Sequence, residues 1–117
     1  MPHCILECSQ DILQRCNQQE LMQHCFDAAL SSELFTADDI KVRVITLDAQ
    51  RVGEIDHSQL HIQLKILDGR SVEQRKDLSL RVMTGVHLYL KDSGLTKVSL
   101  SVEVTDIERA SYSKIIF

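Results

Sequence analysis

The sequence predicts an α/β (α+β) fold: a duplicated β-α-β unit giving a four-stranded sheet with two helices on one face. Three observations carry this. Segments rich in strand formers recur at 2–8, 40–47, 60–67 and 97–104. Two stretches between them carry apolar residues at helical spacing. The order strand, helix, strand then occurs twice, at a spacing of roughly 58 residues. One domain, 1–117, is expected, with repeat units of about 2–47 and 60–104.

The first strand is PHCILEC (2–8). Residues Ser9 to about Cys16 are polar and read as a turn-like stretch. Asn17 followed by Glu20 is a capping-box pattern, which starts a helix there. Leu21, Met22, Cys25, Phe26, Ala29 and Leu30 form its apolar face. In IKVRVITL (40–47), Ile40, Val42 and Val44 point one way, and Lys41, Arg43 and Ile45 the other. Residues 48–58 are polar and contain Gly53, a loop with room for a short extended piece.

LHIQLKIL (60–67) alternates, with Leu60, Ile62, Leu64 and Ile66 on one face. Ser71 and Gln74 form a second capping box. Leu78, Val82, Val86 and Leu90 give the buried stripe of that helix, and Gly94 its stop. KVSLSVEV (97–104) alternates again, and the tail ends on Ile115, Ile116 and Phe117. Each helix is long enough for a right-handed crossover between parallel strands. The other sheet face keeps His61, Gln63, Lys65, Ser99, Ser101 and Glu103. A half-polar sheet with free edges and an apolar tail favours an oligomer.

A net charge of -4 argues against a nucleic-acid partner. No apolar run is long enough to cross a bilayer, and no signal segment is apparent, so a cytoplasmic protein with no membrane partner is expected. Cys4, Cys8, Cys16 and Cys25 form no CxxC pair and read as free thiols. Their spacing, with His3 or His24, fits no standard zinc cluster, and His57 with His61 reads as coincidence, so no metal is expected.

PHCILECS (2–9), VRVIT (42–46) and ILDGRSVEQRK (66–76) stand in the order and spacing of the tautomerase superfamily. The last resembles the strand-end and helix-start segment of 4-oxalocrotonate tautomerases, and VRVIT their second strand. The opening Pro-His, the Glu-Cys-Ser and the GRS-x-E-x-R of residues 69–75 resemble 5-carboxymethyl-2-hydroxymuconate isomerases more closely. The resemblance implies a homotrimer, a small carboxylate substrate, and isomerisation without metal or cofactor. It makes Pro2, freed of Met1, the catalytic general base: an amine lowered by burial or positive neighbours is neutral and can take a proton.

The same resemblance makes Arg43 and Arg70 carboxylate binders, since a guanidinium grips a carboxylate with two parallel bonds. Lys41 stands where relatives often have arginine and keeps only the charge. Glu7, His3 and Arg75 also match the pattern without a clear catalytic part. The first repeat unit carries Pro2 and Arg43, and the second carries Gly69-Arg70-Ser71, so each holds what the other lacks. One site built from both halves is expected. Two other readings stay open: a tautomerase acting on another 2-hydroxydienoate or enol acid, and a non-catalytic trimeric binding protein of this fold.

Overall fold

The computed structural model describes all residues, Met1–Phe117. Strand β1 (His3–Ser9) lies at the centre beside β2 (Lys41–Leu47) and β3 (Ser58–Leu67), and β4 (Val98–Ile107) pairs with β3, giving the order β2-β1-β3-β4. The pairs β1/β2 and β3/β4 are parallel, and β1/β3 is antiparallel. Each parallel pair is joined through a helix: α2 (Gln18–Ser31) for the first, α3 (Val72–Asp92) for the second. The two units thus meet back to front across β1/β3.

A short helix, α1 (Gln10–Arg15), occupies the stretch expected to be a turn. Its six residues bury only Ile12, while Asp11 and Arg15 sit at the ends that suit their charges. One buried residue in one and a half turns leaves no periodicity to detect.

The sheet face under α2 and α3 is the core. Cys4, Leu6 and Cys8 of β1 stand opposite Leu64, Ile62 and Leu60 of β3, all fully buried. Leu21, Cys25 and Ala29 cover them from α2, and Leu78, Val82, Val86 and Leu90 from α3. Val42, Val44, Leu100, Val102 and Val104 extend this layer to the edge strands. The helices approach closely at Gly85, where a Cβ would lie 3.2 Å from that of Ala28. Burial pushes the Cys8 thiol up to about 12, and thiols of that kind are unreactive.

The caps follow the sequence, with one difference. Ser71 accepts from the Gln74 N–H and Gln74 closes the box back to Ser71. At α2 only half the box forms: Asn17 accepts from the Glu20 N–H, but the Glu20 carboxylate accepts from the Tyr89 hydroxyl at 3.0 Å instead. Ser71→Ala is expected to cost about 1 kcal/mol. A lower urea midpoint at an unchanged m value checks this.

The antiparallel β1/β3 pairing has one consequence for function. His3 stands opposite Lys65, so the start of β1 lies beside the end of β3. The parallel pairings bring the start of β2 and the end of β4 to the same edge. Met1, Pro2, Lys41, the loop Asp68–Arg70 and the residues after Ile107 therefore converge, although they come from both units.

Candidate active site

A cleft of about 370 Å³ opens at that edge. Its walls are Met1, Leu34, Phe35 and Thr36, then Asp39, Leu67 and Arg70, and finally Arg109, Tyr112 and Lys114. The first unit contributes Met1 and the segment after α2, and the second contributes Leu67 and Arg70. The residues after β4 close the remaining side.

The Met1 ammonium donates to the Asp39 carbonyl at 3.0 Å. The Lys41 ammonium donates to the same oxygen at 3.2 Å, so two cations meet there. Burial first, and then the Lys41 charge, hold the terminal amine below its ordinary value. Pro2 is buried, and its carbonyl accepts from the Lys41 N–H at 3.0 Å, which locks it against the start of β2. Its nitrogen is bonded to Met1, the residue that lines the cleft.

Gly69 has φ 108°, a conformation that favours glycine, and it turns the chain out of β3 just before α3. Arg70 follows on the rim. Its guanidinium donates to the Leu34 carbonyl at 2.7 Å and lies 5.9 Å from the centre of the Phe35 ring. No carboxylate pairs with it, so the charge is held in position but not neutralised. Asp39, the one acid in the wall, accepts from Thr36 and Lys114 at 2.9 and 3.1 Å, and these bonds keep its carboxyl below the usual range.

Arg43 does not line the cleft. It lies on the open sheet face, 3.1 Å from Nδ1 of His3. The other ring nitrogen of His3 lies 3.1 Å from the Tyr112 hydroxyl, and Tyr112 lines the cleft. His3 thus links Arg43 to the site. Burial, then Arg43 and Lys41, hold the imidazole below its ordinary value, so it tends to be neutral. Glu7 is opposite His61 on the open face. There His61 is bonded to Ser101 at 2.6 Å and Glu103 at 3.1 Å rather than partnered with His57. Arg75 lies 3.9 Å from Asp106.

Of the residues singled out from sequence, Arg70 stands in the cleft, and Pro2 and Lys41 adjoin it through Met1 and Asp39. Arg43 reaches it only through His3. Phe35, Asp39, Arg109, Tyr112 and Lys114 went unnoticed. The signal available for the last three was the density of cations and tyrosine in IERASYSK (107–114), directly after an alternating strand. The unpaired cation, the apolar walls and the part-buried terminal amine suit a flat, anionic organic molecule.

Comparison with known proteins agrees with this geometry. A family model described as 5-carboxymethyl-2-hydroxymuconate isomerase matches residues 2–115. The chain is 28% identical over 108 residues to the 5-carboxymethyl-2-hydroxymuconate Delta-isomerase of Escherichia coli, covering 88% of this chain and 86% of that protein. A crystal structure of a 5-carboxymethyl-2-hydroxymuconate delta-isomerase superposes with a TM-score of 0.87 at 14% identity, covering 98% of this chain and 88% of the other. An isomerase of that name from Deinococcus radiodurans R1 gives 0.83 at 22% identity, with 97% and 88% covered. A fused 4-OT described as a symmetric trimer gives 0.72 at 17% identity, with 96% and 90% covered. The chain belongs to the 5-carboxymethyl-2-hydroxymuconate isomerase family and is an isomerase of the tautomerase fold.

Proposed function

We propose that the protein converts 5-carboxymethyl-2-hydroxymuconate to its conjugated 2-oxo isomer, with Pro2 as general base once Met1 is removed. The observation that carries this reading is the meeting of Met1 and Arg70 in one cleft. Loss of Met1 opens the space it fills and turns the Pro2 nitrogen from an amide into a secondary amine at that space.

The Pro2 amine takes the proton of the 2-hydroxyl group. The electron pair moves through the diene, and the same proton is returned at a distant carbon, leaving the 2-oxo acid. The reaction is a proton shift with no net redox change. Arg70 holds a carboxylate, and Lys41, which shares the Asp39 carbonyl with the terminal amine, adds positive charge that steadies the negative charge developing on the 2-oxygen, while Arg43 acts only through His3.

The assembly proposed is a homotrimer with the three sheets turned inward. Its support is the half-polar open face, the two unpaired edge strands β2 and β4, and the fully exposed Phe117 beside Ile115 and Ile116. A native mass of three 13.3-kDa chains is the expected result.

The test is ketonisation of 5-carboxymethyl-2-hydroxymuconate by Met1-free protein, followed by ultraviolet absorbance. Turnover supports the reading, and its absence directs the search to another 2-hydroxydienoate. The pH profile adds a second check. A base must be unprotonated, so kcat/KM falls as pH drops through the amine's pKa. Burial and Lys41 depress the Met1 amine, and a Pro2 amine freed one residue further in would meet the same surroundings, so that midpoint is expected below the ordinary value of about 7.7–8.0. Lys41→Met removes one depressing charge and is expected to move the midpoint up.

A further inference from the structure

Arg109 lines the cleft from the short turn Arg109–Ser111 that follows β4. Its position is built rather than incidental. Its backbone N–H donates to the Asp68 carboxylate at 3.4 Å, and its guanidinium donates to the Asp68 carbonyl at 3.0 Å. The Nε lies 3.6 Å from Oδ1 of the same residue. The Asp68 N–H is in turn tied to the Ile107 carbonyl at 3.0 Å, which fixes the two loops against each other. Arg70 is two residues from Asp68, so one loop sets the position of both guanidinium groups.

These contacts use the Nε edge and Nη2 of Arg109, and Nη1 makes no hydrogen bond. Its side chain is 65% exposed, so it is available to a ligand. Leu67 and Phe35 line the same cleft as the two arginines. Two cations and two apolar side chains lining one cleft match a flat chain with a carboxylate at more than one position. Asp39 does not oppose this, because Lys114 and Thr36 already hold its carboxylate.

We propose that Arg109 is a substrate-binding residue that grips a second carboxylate of the ligand, while Arg70 grips the first. The residue thereby sets a preference for substrates with several carboxylates over those with one. This rests on the isomerase reading for the reaction but not for the binding.

The experiment uses the Met1-free chain, Arg109→Ala and Arg109→Lys. Binding of propane-1,2,3-tricarboxylate and of propionate is followed by NMR titration, and kcat/KM is measured for 5-carboxymethyl-2-hydroxymuconate and for 2-hydroxypenta-2,4-dienoate, which has one carboxylate. In Arg109→Ala the tricarboxylate ligand and substrate are expected to weaken by about ten- to hundredfold. The loss falls on KM rather than kcat, the monocarboxylates change by less than about twofold, and Arg109→Lys recovers part of the loss. A variant that weakens both ligand classes equally, or neither, overturns the proposal and leaves Arg109 as an anchor of its turn. Arg109-dependent tricarboxylate binding in a chain that isomerises neither substrate would uphold this inference and remove the isomerase reading. Turnover indifferent to Arg109 would do the reverse.

Discussion

A chain that keeps Met1 is expected to isomerise its substrate about a hundred- to ten-thousandfold more slowly than one that has lost it, the range spanned by a positioned general base. Two effects act together. The Pro2 nitrogen is then an amide and cannot accept a proton, and Met1 forms part of the cleft wall beside Pro2. Pro2→Ala in the Met1-free chain separates them. It leaves the cleft open and keeps an amine, but a primary one on a less rigid residue. An intermediate loss is therefore expected, mainly in kcat. Stability should change little on loss of Met1, because its ammonium contributes one hydrogen bond to Asp39 at the cleft edge. Rates of the three samples, each confirmed by intact mass, check the order.

Arg70→Ala is expected to lower kcat/KM by about a hundred- to thousandfold, the effect of removing one donor aimed at developing or fixed negative charge. The guanidinium is already oriented by the Leu34 carbonyl and Phe35, so little ordering is needed when substrate arrives. Arg70→Lys retains the charge without the planar fork, and only part of the rate should return. The folded state should barely notice either change. Arg70 is exposed and its lost bond is to a carbonyl that water can reach, so the unfolding midpoint should move by no more than about 0.5 kcal/mol. A large fall in stability would mean that the rate loss reports unfolding rather than lost binding.

Much of the fold could be read locally. The stripe Leu78, Val82, Val86, Leu90 and the Ser71/Gln74 box mark α3 because each depends only on neighbours within a turn or two. The alternation of residues 60–67 marks β3 because one of its faces is buried throughout. The ends were less legible. β4 runs on to Ile107 because its partner β3 is long enough to hold Thr105, Asp106 and Ile107 in register, which residues 97–104 alone do not reveal. α1 carries no helical stripe because Ile12 is its only fully buried residue, with Leu13 beside it half-buried against the core.

The site was legible in part, and mostly through resemblance. Pro2 and Arg70 stand in matching patches, but their approach depends on β1 pairing antiparallel with β3. The tail residues depend on more. Tyr112 meets His3 across 109 positions of sequence, and Lys114 meets Asp39 across 75. No local pattern encodes such pairs; they follow from four strand ends sharing one edge of the sheet. Arg43 marks the opposite case, since its strand was read correctly and yet its side chain contacts His3 instead of the cleft.

The most direct test is to follow the nitrogen of Pro2 itself by NMR, in Met1-free protein labelled with 15N at proline, while kcat/KM is measured over the same pH range. Pro2 is the only proline, so its signal is unambiguous. If Pro2 is the base, its amine titrates below the ordinary α-amino range, and its midpoint coincides with that of the rate. An amine that titrates a full unit or more from the kinetic midpoint, or a rate that ignores its protonation, would contradict proton transfer through Pro2.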